Sequence, residues 1–372
     1  MGKRRGSGEG SIYRRKDGRW AGAITLPGGG RKYVYGRTYQ EARRKLEEAR
    51  RLVAEGLPMG RERLNLRRYL LDWLGAVRPS LRPRTWQRYE ECVRLHVLPA
   101  LGDIPLVRLS PAHLQSLYAQ KLQEGLSPAS VRHVHAVLRR SLGQAEAWGL
   151  LPRNVARLVR PPRREGREMA TLTQEEALRL LEAAQGDRLA ALYTLALATG
   201  MRQGELLALR WRDVDLERGV LQVRATLQRT REGFVFAEPK TARSRRQVTL
   251  AAGAVEALRR HRRAQLEERL RAGELWEDHD LVFCDELGRP LSGTAVTKRF
   301  RRLLERAGLP RVRFHDLRHT AASHLLARGV HPKVVADMLG HSTVTVTLDL
   351  YSHVAPSLHE AAAQALDELV RP

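Results

Sequence analysis

Three observations predict a multidomain fold, mainly α with small β-sheets. Residues 11 to 36 alternate short β-type runs with turn residues, and residues 64 to 160 carry apolar positions at helical spacing. In the second half, strand-like runs are framed by helices. With 372 residues and 42% hydrophobic content, the chain can bury two or three cores.

The first unit is expected to be a three-stranded sheet plus a helix. SIYRR, WAGAITL and RKYVYG supply the strands, and Asp17-Gly18 and the PGGG run at 27 to 30 supply the turns. Thr38, with Glu41 three residues on, caps a charged helix that breaks at Gly56 and Pro58. The second unit reads as four or five helices. Ser110-Pro111 and Ser127-Pro128 each place a capping hydroxyl before a proline at the first helical position, where no backbone donor is needed. RPPRREGRE at 160 to 168 lacks any apolar residue and reads as a linker. The third unit is mixed α+β. It opens on a helix capped by Thr173 with Glu176, passes through the apolar LAALYTLALATGM at 189 to 201, and continues as strands GVLQV, FVFAEPK and RRQVTL. Helices dominate from 254 onward. The expected domains are 1–60, 61–163 and 168–372.

The charge is unevenly placed. The formal net charge is +25; residues 1 to 165 hold 34 Lys and Arg against 14 Asp and Glu, and the remainder holds 32 against 27. Such a balance points to a polyanionic partner, most simply nucleic acid, because neutralising phosphates releases counterions. An Arg-heavy solvated surface is the plain alternative. Cys92 and Cys284 are far apart, which gives neither a disulfide framework nor a CxxC metal or redox pattern, so an intracellular, cytoplasmic setting is expected. The longest apolar run is too short for a bilayer, no targeting segment is legible, and no membrane partner, metal or cofactor is expected.

Four stretches carry candidate chemistry. Only 8 of the 66 basic residues are Lys, and Lys240 in EPKTARSRR is the only one between Lys121 and Lys298. Lysine can give up a proton near neutral pH when other cations depress its pKa, whereas arginine cannot. A solvated lysine at the tip of a predicted hairpin is the competing reading. In ATGMRQGELLALRW, Arg202 begins a helix with Glu205 one turn on, so a helix dipole and a guanidinium could both face an anion; a surface salt bridge is the alternative. In HDLRHTAASHLL, His315 and Arg318 share a helix face and could both bond a phosphate, while His319 reads equally as a core or supporting histidine. In MLGHSTVTVTLDLYSHV, Gly340 ends a helix, His341 follows, and Tyr351 taken alone is a packing residue.

Together these stretches resemble the tyrosine recombinases, the lambda-type integrase family. The resemblance spans the chain. It implies that Arg202, Lys240, His315, Arg318, His341 and Tyr351 are the catalytic set, with Glu205 and His319 in support. Tyr351 lies ten residues after His341, as in many phage and conjugative-element integrases and one more than in many chromosome-dimer resolvases. The same resemblance makes the first unit an arm-type DNA-binding domain, with Arg14, Arg15, Arg19, Trp20, Arg31, Lys32 and Tyr33 as expected contacts, and the second a helical core-binding domain. It implies an integrase that breaks and rejoins strands through a 3′-phosphotyrosyl intermediate. The implied partners are double-stranded DNA at core and arm-type sites, a homotetramer on that DNA, and an accessory DNA-bending or directionality factor. The rival readings are a chromosome-dimer resolvase, a type IB topoisomerase and an inactive DNA-binding regulator. The tail PSLHEAAAQALDELVRP at 356 to 372 sets Leu358, Ala362, Leu366 and Leu369 on one stripe, expected to dock on a neighbouring protomer or on its own domain.

Overall fold

The computed structural model describes residues 11–25, 30–54, 64–163, 170–238, 245–340, 343–345, 347–348 and 367. The chain forms two compact units, Met1–Gly166 and Arg167–Pro372.

In the first unit, β1 (Ser11–Arg14), β2 (Trp20–Thr25) and β3 (Arg31–Gly36) form an antiparallel sheet in chain order. Helix α1 (Tyr39–Ala54) starts as its sequence dictates: the Glu41 N–H donates to Thr38 Oγ1 at 3.1 Å, and the Glu41 carboxylate accepts from the Arg37 N–H at 2.8 Å. Buried Ala42, Leu46 and Ala49 line α1's inner side. The approach to the sheet is close, since a Cβ on Gly22 would lie 3.0 Å from Val34 and 3.2 Å from Leu46.

Five helices follow: α2 (Leu66–Val77), α3 (Pro83–Cys92), α4 (Leu98–Leu101), α5 (Pro111–Gln123) and α6 (Pro128–Ala147). Ser110 Oγ and Ser127 Oγ accept from the N–H groups of His113 and Ser130, the expected caps of α5 and α6. A π-helical turn, Val93–Val97, joins α3 to α4, with the Leu98 N–H reaching back to the Val93 carbonyl. Pro99 has no N–H for the Leu95 carbonyl, and the wider turn absorbs that defect. Trp73, Tyr69, Tyr118, Leu70 and Leu138 are fully enclosed, each worth about 2 kcal/mol of burial, so this bundle has a core of its own.

The second unit begins with α7 (Gln174–Ala183), capped by Thr173 and Glu176, and α8 (Ala190–Thr199). Apolar all round, α8 is buried between α10 (Ala252–Ala272) and α12 (Asp316–Ala327). The one-turn helix α9 (Gln203–Leu206) leads to β4 (Val214–Asp215), β5 (Val220–Val223), β6 (Thr226–Thr230), β7 (Gly233–Ala237) and β8 (Arg246–Thr249). Strands β4, β5 and β8 form one antiparallel sheet, and β6 and β7 form a separate hairpin. The remaining helices are α11 (Gly293–Arg306) and α13 (Pro332–Leu339).

This pairing corrects one expectation. FVFA and RRQVTL do not make one hairpin: β7 pairs with β6, β8 pairs with β5, and the described turn lies at Arg231 and Glu232. Strand β6, TLQRT, escapes sequence reading because only Leu227 in it is buried and apolar. Among the described residues, no helix is long and apolar enough to cross a membrane.

Candidate active site

Gly200 ends α8 in the left-handed region at φ +60°, and a Cβ there would lie 2.3 Å from Leu339 Cδ2. Only glycine lets the end of α8 pass this close to α13. Its carbonyl accepts a hydrogen bond from Arg318 Nη1 at 2.7 Å. Arg202 follows in extended conformation directly before α9. Glu205, 3% exposed, reaches back to the Arg202 N–H at 3.0 Å and accepts from Arg202 Nη1 at 2.7 Å. Arg202 Nη2 donates to the Gly340 carbonyl at 3.0 Å. Because α9 is one turn long, its dipole is slight, and the expected helix-dipole contribution at Arg202 gives way to the guanidinium itself.

On α12, Asp316 is buried and takes the Arg313 N–H at 2.7 Å and the Arg313 guanidinium at 2.8 Å. Burial works to raise the Asp316 pKa, but the Arg313 bonds outweigh it and hold the carboxyl below its ordinary value. This pins the helix start one residue after His315. His315 is open to solvent on its outer side, and His319 packs edge-on against it at 5.1 Å between ring centroids. Burial of its inner side, then His319 and Arg318, push the His315 imidazole down to about 4, so it is neutral at physiological pH. Burial likewise lowers His319, whose Nδ1 is enclosed without a hydrogen-bond partner among the described residues.

Arg318 is 3% exposed, and its Nη2 is enclosed with no hydrogen-bond partner among the described residues. Burial, then the neighbouring Arg202, pull its pKa down to about 9; Glu205 opposes this and Arg246 adds to it. Arg246 was not foreseen from the sequence. Its Nη2 donates to Glu205 at 3.0 Å and its Nε to the Met338 carbonyl at 2.7 Å. Burial works to raise the Glu205 pKa, yet Arg246 and Arg202 outweigh it and keep the carboxyl ionised. Among the described residues, Arg202 and Arg246 thus bond the single carboxylate of Glu205, with Arg318 close by; Glu205, Arg246 and Arg318 are buried and Arg202 is partly open to solvent. The excess positive charge favours an anion.

The structure thus brings Arg202, Glu205, His315, Arg318 and His319 to one place. Lys240, His341 and Tyr351 lie outside the described residues, as does the tail stripe of Leu358, Ala362, Leu366 and Leu369. In the chain, Lys240 falls between β7 and β8, and His341 follows Gly340.

Strand register sorts the expected contacts of the first unit. Gly22 faces α1, so its cross-strand neighbours Ile12 and Val34 do too, and alternation puts Arg14, Trp20 and Lys32 on that same side. Trp20 packs edge-on against Tyr39 at 5.1 Å. The open face carries Arg31 and Tyr33, together with Tyr13 and Tyr35, which sequence reading passed over; all three tyrosines are exposed. Arg15 lies over the Tyr35 ring at 5.2 Å, and Arg19 closes the first turn by accepting the Arg15 N–H on its carbonyl.

Residues 170–357 match the phage integrase family, and residues 65–123 match the phage integrase N-terminal SAM-like domain. An integrase of Streptomyces ambofaciens is 34% identical over 394 residues, covering 100% of this chain and 99% of its own. A XerC-like tyrosine recombinase of Caldanaerobacter subterraneus subsp. tengcongensis is 32% identical over 359 residues, covering 91% and 92%. Among solved structures, the Tn1549 transposon integrase in complex with transposon right end DNA aligns with a TM-score of 0.70 at 21% identity, over 81% of this chain and 100% of that one. The fold is that of a lambda-type integrase. The chain belongs to the phage integrase family and is a site-specific integrase of the tyrosine recombinase class.

Proposed function

We propose that Tyr351 attacks the scissile phosphate of duplex DNA, forming a 3′-phosphotyrosyl bond and releasing a 5′-hydroxyl. A second 5′-hydroxyl then attacks that bond, freeing Tyr351, so bond number is conserved and no energy source is consumed. Arg202 and Arg318 hold the non-bridging oxygens, Lys240 protonates the leaving 5′-oxygen, His315 assists proton movement at the tyrosine, and His341 donates a hydrogen bond to the phosphate. The observation that carries this reading is the surplus of guanidinium over carboxylate around Glu205, with Arg318 Nη2 enclosed and lacking a protein acceptor among the described residues. A phosphate would supply that acceptor. Neutral His315 has a ring nitrogen free to accept the proton that Tyr351 gives up on attack.

The first unit reads as two DNA-binding parts, an arm-type domain over 1–60 and a core-binding domain over 61–163, with the catalytic domain over 168–372. The open sheet face, with Arg31, Tyr33 and the overlying Arg15, suits a DNA groove; Arg14, Trp20 and Lys32 serve rather at its edges or in its support. Exchange between two duplexes breaks four strands and each chain offers one Tyr351, so four copies act together on core and arm-type sites. A DNA-bending or directionality factor, and a cytoplasmic setting at the chromosome, fit the same reading.

The test is a denaturing gel for protein joined covalently to DNA carrying the element's own ends. Wild type should form the adduct, and Tyr351→Phe should form none while binding the same DNA within a few-fold. An adduct from the Phe variant would assign the nucleophile elsewhere.

A further inference from the structure

We propose that Arg246 is a positioning residue of strand cleavage, holding the Arg202–Glu205 pair and the C-terminal end of α13 in one frame. The proposal rests on the strand-cleavage reading above and adds a residue to it.

The two oxygens of Glu205 are divided between two arginines: Oε1 takes Arg202 Nη1 at 2.7 Å and Oε2 takes Arg246 Nη2 at 3.0 Å. Each arginine also holds a carbonyl at the end of α13, Arg202 that of Gly340 at 3.0 Å and Arg246 that of Met338 at 2.7 Å. The contacts close a ring from β8 through α9 to α13. Carbonyls at a helix C-terminus have no partners within the helix and carry its negative end, so cations are suited to them. The next residue after Gly340 is His341, and Tyr351 follows ten residues later. Arg246 is also the first residue of β8, two residues beyond the 239–244 stretch that contains Lys240. One side chain therefore links the elements that carry or adjoin Arg202, Lys240 and His341.

A role in stability alone accounts poorly for this arrangement. The Arg246 side chain is 7% exposed and Glu205 is 3% exposed, and taking such ions out of water offsets most of what their attraction returns. What the pair supplies is geometry. The planar guanidinium directs Nε and Nη2 at two different acceptors at once, a fork that lysine cannot reproduce.

The experiment uses the full chain and a nicked duplex bearing the element's own ends, comparing wild type with Arg246→Met, Arg246→Lys, Glu205→Gln and the Met/Gln double variant. Single-turnover adduct formation at saturating protein, DNA affinity and melting are measured for each. Arg246→Met should slow adduct formation by roughly a hundredfold, the scale of a misplacement of about an ångström, with affinity within a few-fold of wild type. Its rate should also fall away at higher pH on the acid side, because Glu205 without Arg246 takes up a proton more readily. Arg246→Lys, keeping the charge without the fork, should be slow with the wild-type acid limb. The double variant should be no slower than the slower single variant. A folded Met or Lys variant with wild-type saturated rate and pH profile overturns the proposal, as do strictly additive effects in the double variant. Rate losses that merely track loss of folded protein in both variants overturn it too. A wild-type chain that forms no adduct would instead remove the strand-cleavage reading itself.

Discussion

The open face of the β1–β3 sheet and the guanidinium cluster around Glu205 both gather positive charge, and they hold it in opposite ways. On the sheet, Arg31 stands in water among exposed tyrosines, and Arg15 lies over the Tyr35 ring with only the exposed, looser Asp17 carboxylate beside it at 3.7 Å. In the cluster, Glu205 and Arg318 are each 3% exposed, and hydrogen bonds orient Arg202, Arg246 and Arg318. Charge in water gives affinity through counterion release and tolerates displacement; charge out of water gives direction and shifts pKa values. The first arrangement suits holding a long polyanion, the second suits acting on one of its phosphates.

If that contrast is right, the largest effect belongs to the buried side. Arg318→Lys should cut single-turnover cleavage by about two to three orders of magnitude, the scale of losing one aimed donor in a dry site. DNA affinity should change only a few-fold, and the defect should persist at high salt because the site is shielded from screening ions. A Lys variant that cleaves near the wild-type rate would show that charge alone suffices there.

The exposed side should respond differently. Arg31→Ala should weaken binding to arm-type DNA modestly at low salt and reduce the slope of log affinity against log salt by about one. Cleavage by protein already bound should be unchanged. A salt slope equal to wild type would take Arg31 out of phosphate contact.

The smallest effect concerns protons. Both His315 and His319 have pKa values below those of an unfolded chain, so the unfolded state binds protons first as pH falls. The His315 contribution to stability is complete above about pH 6.5 and is lost on acidification toward pH 4, and His319 acts in the same direction. His315→Gln should therefore soften the acid-side fall in melting temperature. Parallel curves for variant and wild type would mean that His315 titrates normally in the fold.

Much of this was legible locally. The caps at Thr38, Ser110, Ser127 and Thr173 occur as their residue types and spacings require, because a cap is a contact between neighbours three residues apart. The three N-terminal strands announce themselves by alternation and turn residues. Arg202 and Glu205 are likewise three apart, so their pairing could be anticipated. Strand β6 lacked an apolar rhythm and was missed, and with it the true partner of β7.

The sequence by itself determined which residues could share a face or a turn; the tertiary structure decided which face was covered and which distant groups met. Alternation groups Tyr33 with Tyr35 and Lys32 with Val34, but only the packing of α1 turns the first pair outward and the second inward. Arg246 lies 41 residues from Glu205 and 92 from Met338, and nothing near it in the chain marks it as their partner. Secondary structure answers to neighbours in sequence, where propensity, caps and periodicity act. A buried charge answers to whatever the fold brings within hydrogen-bond reach, which becomes defined only when the helices and strands are packed.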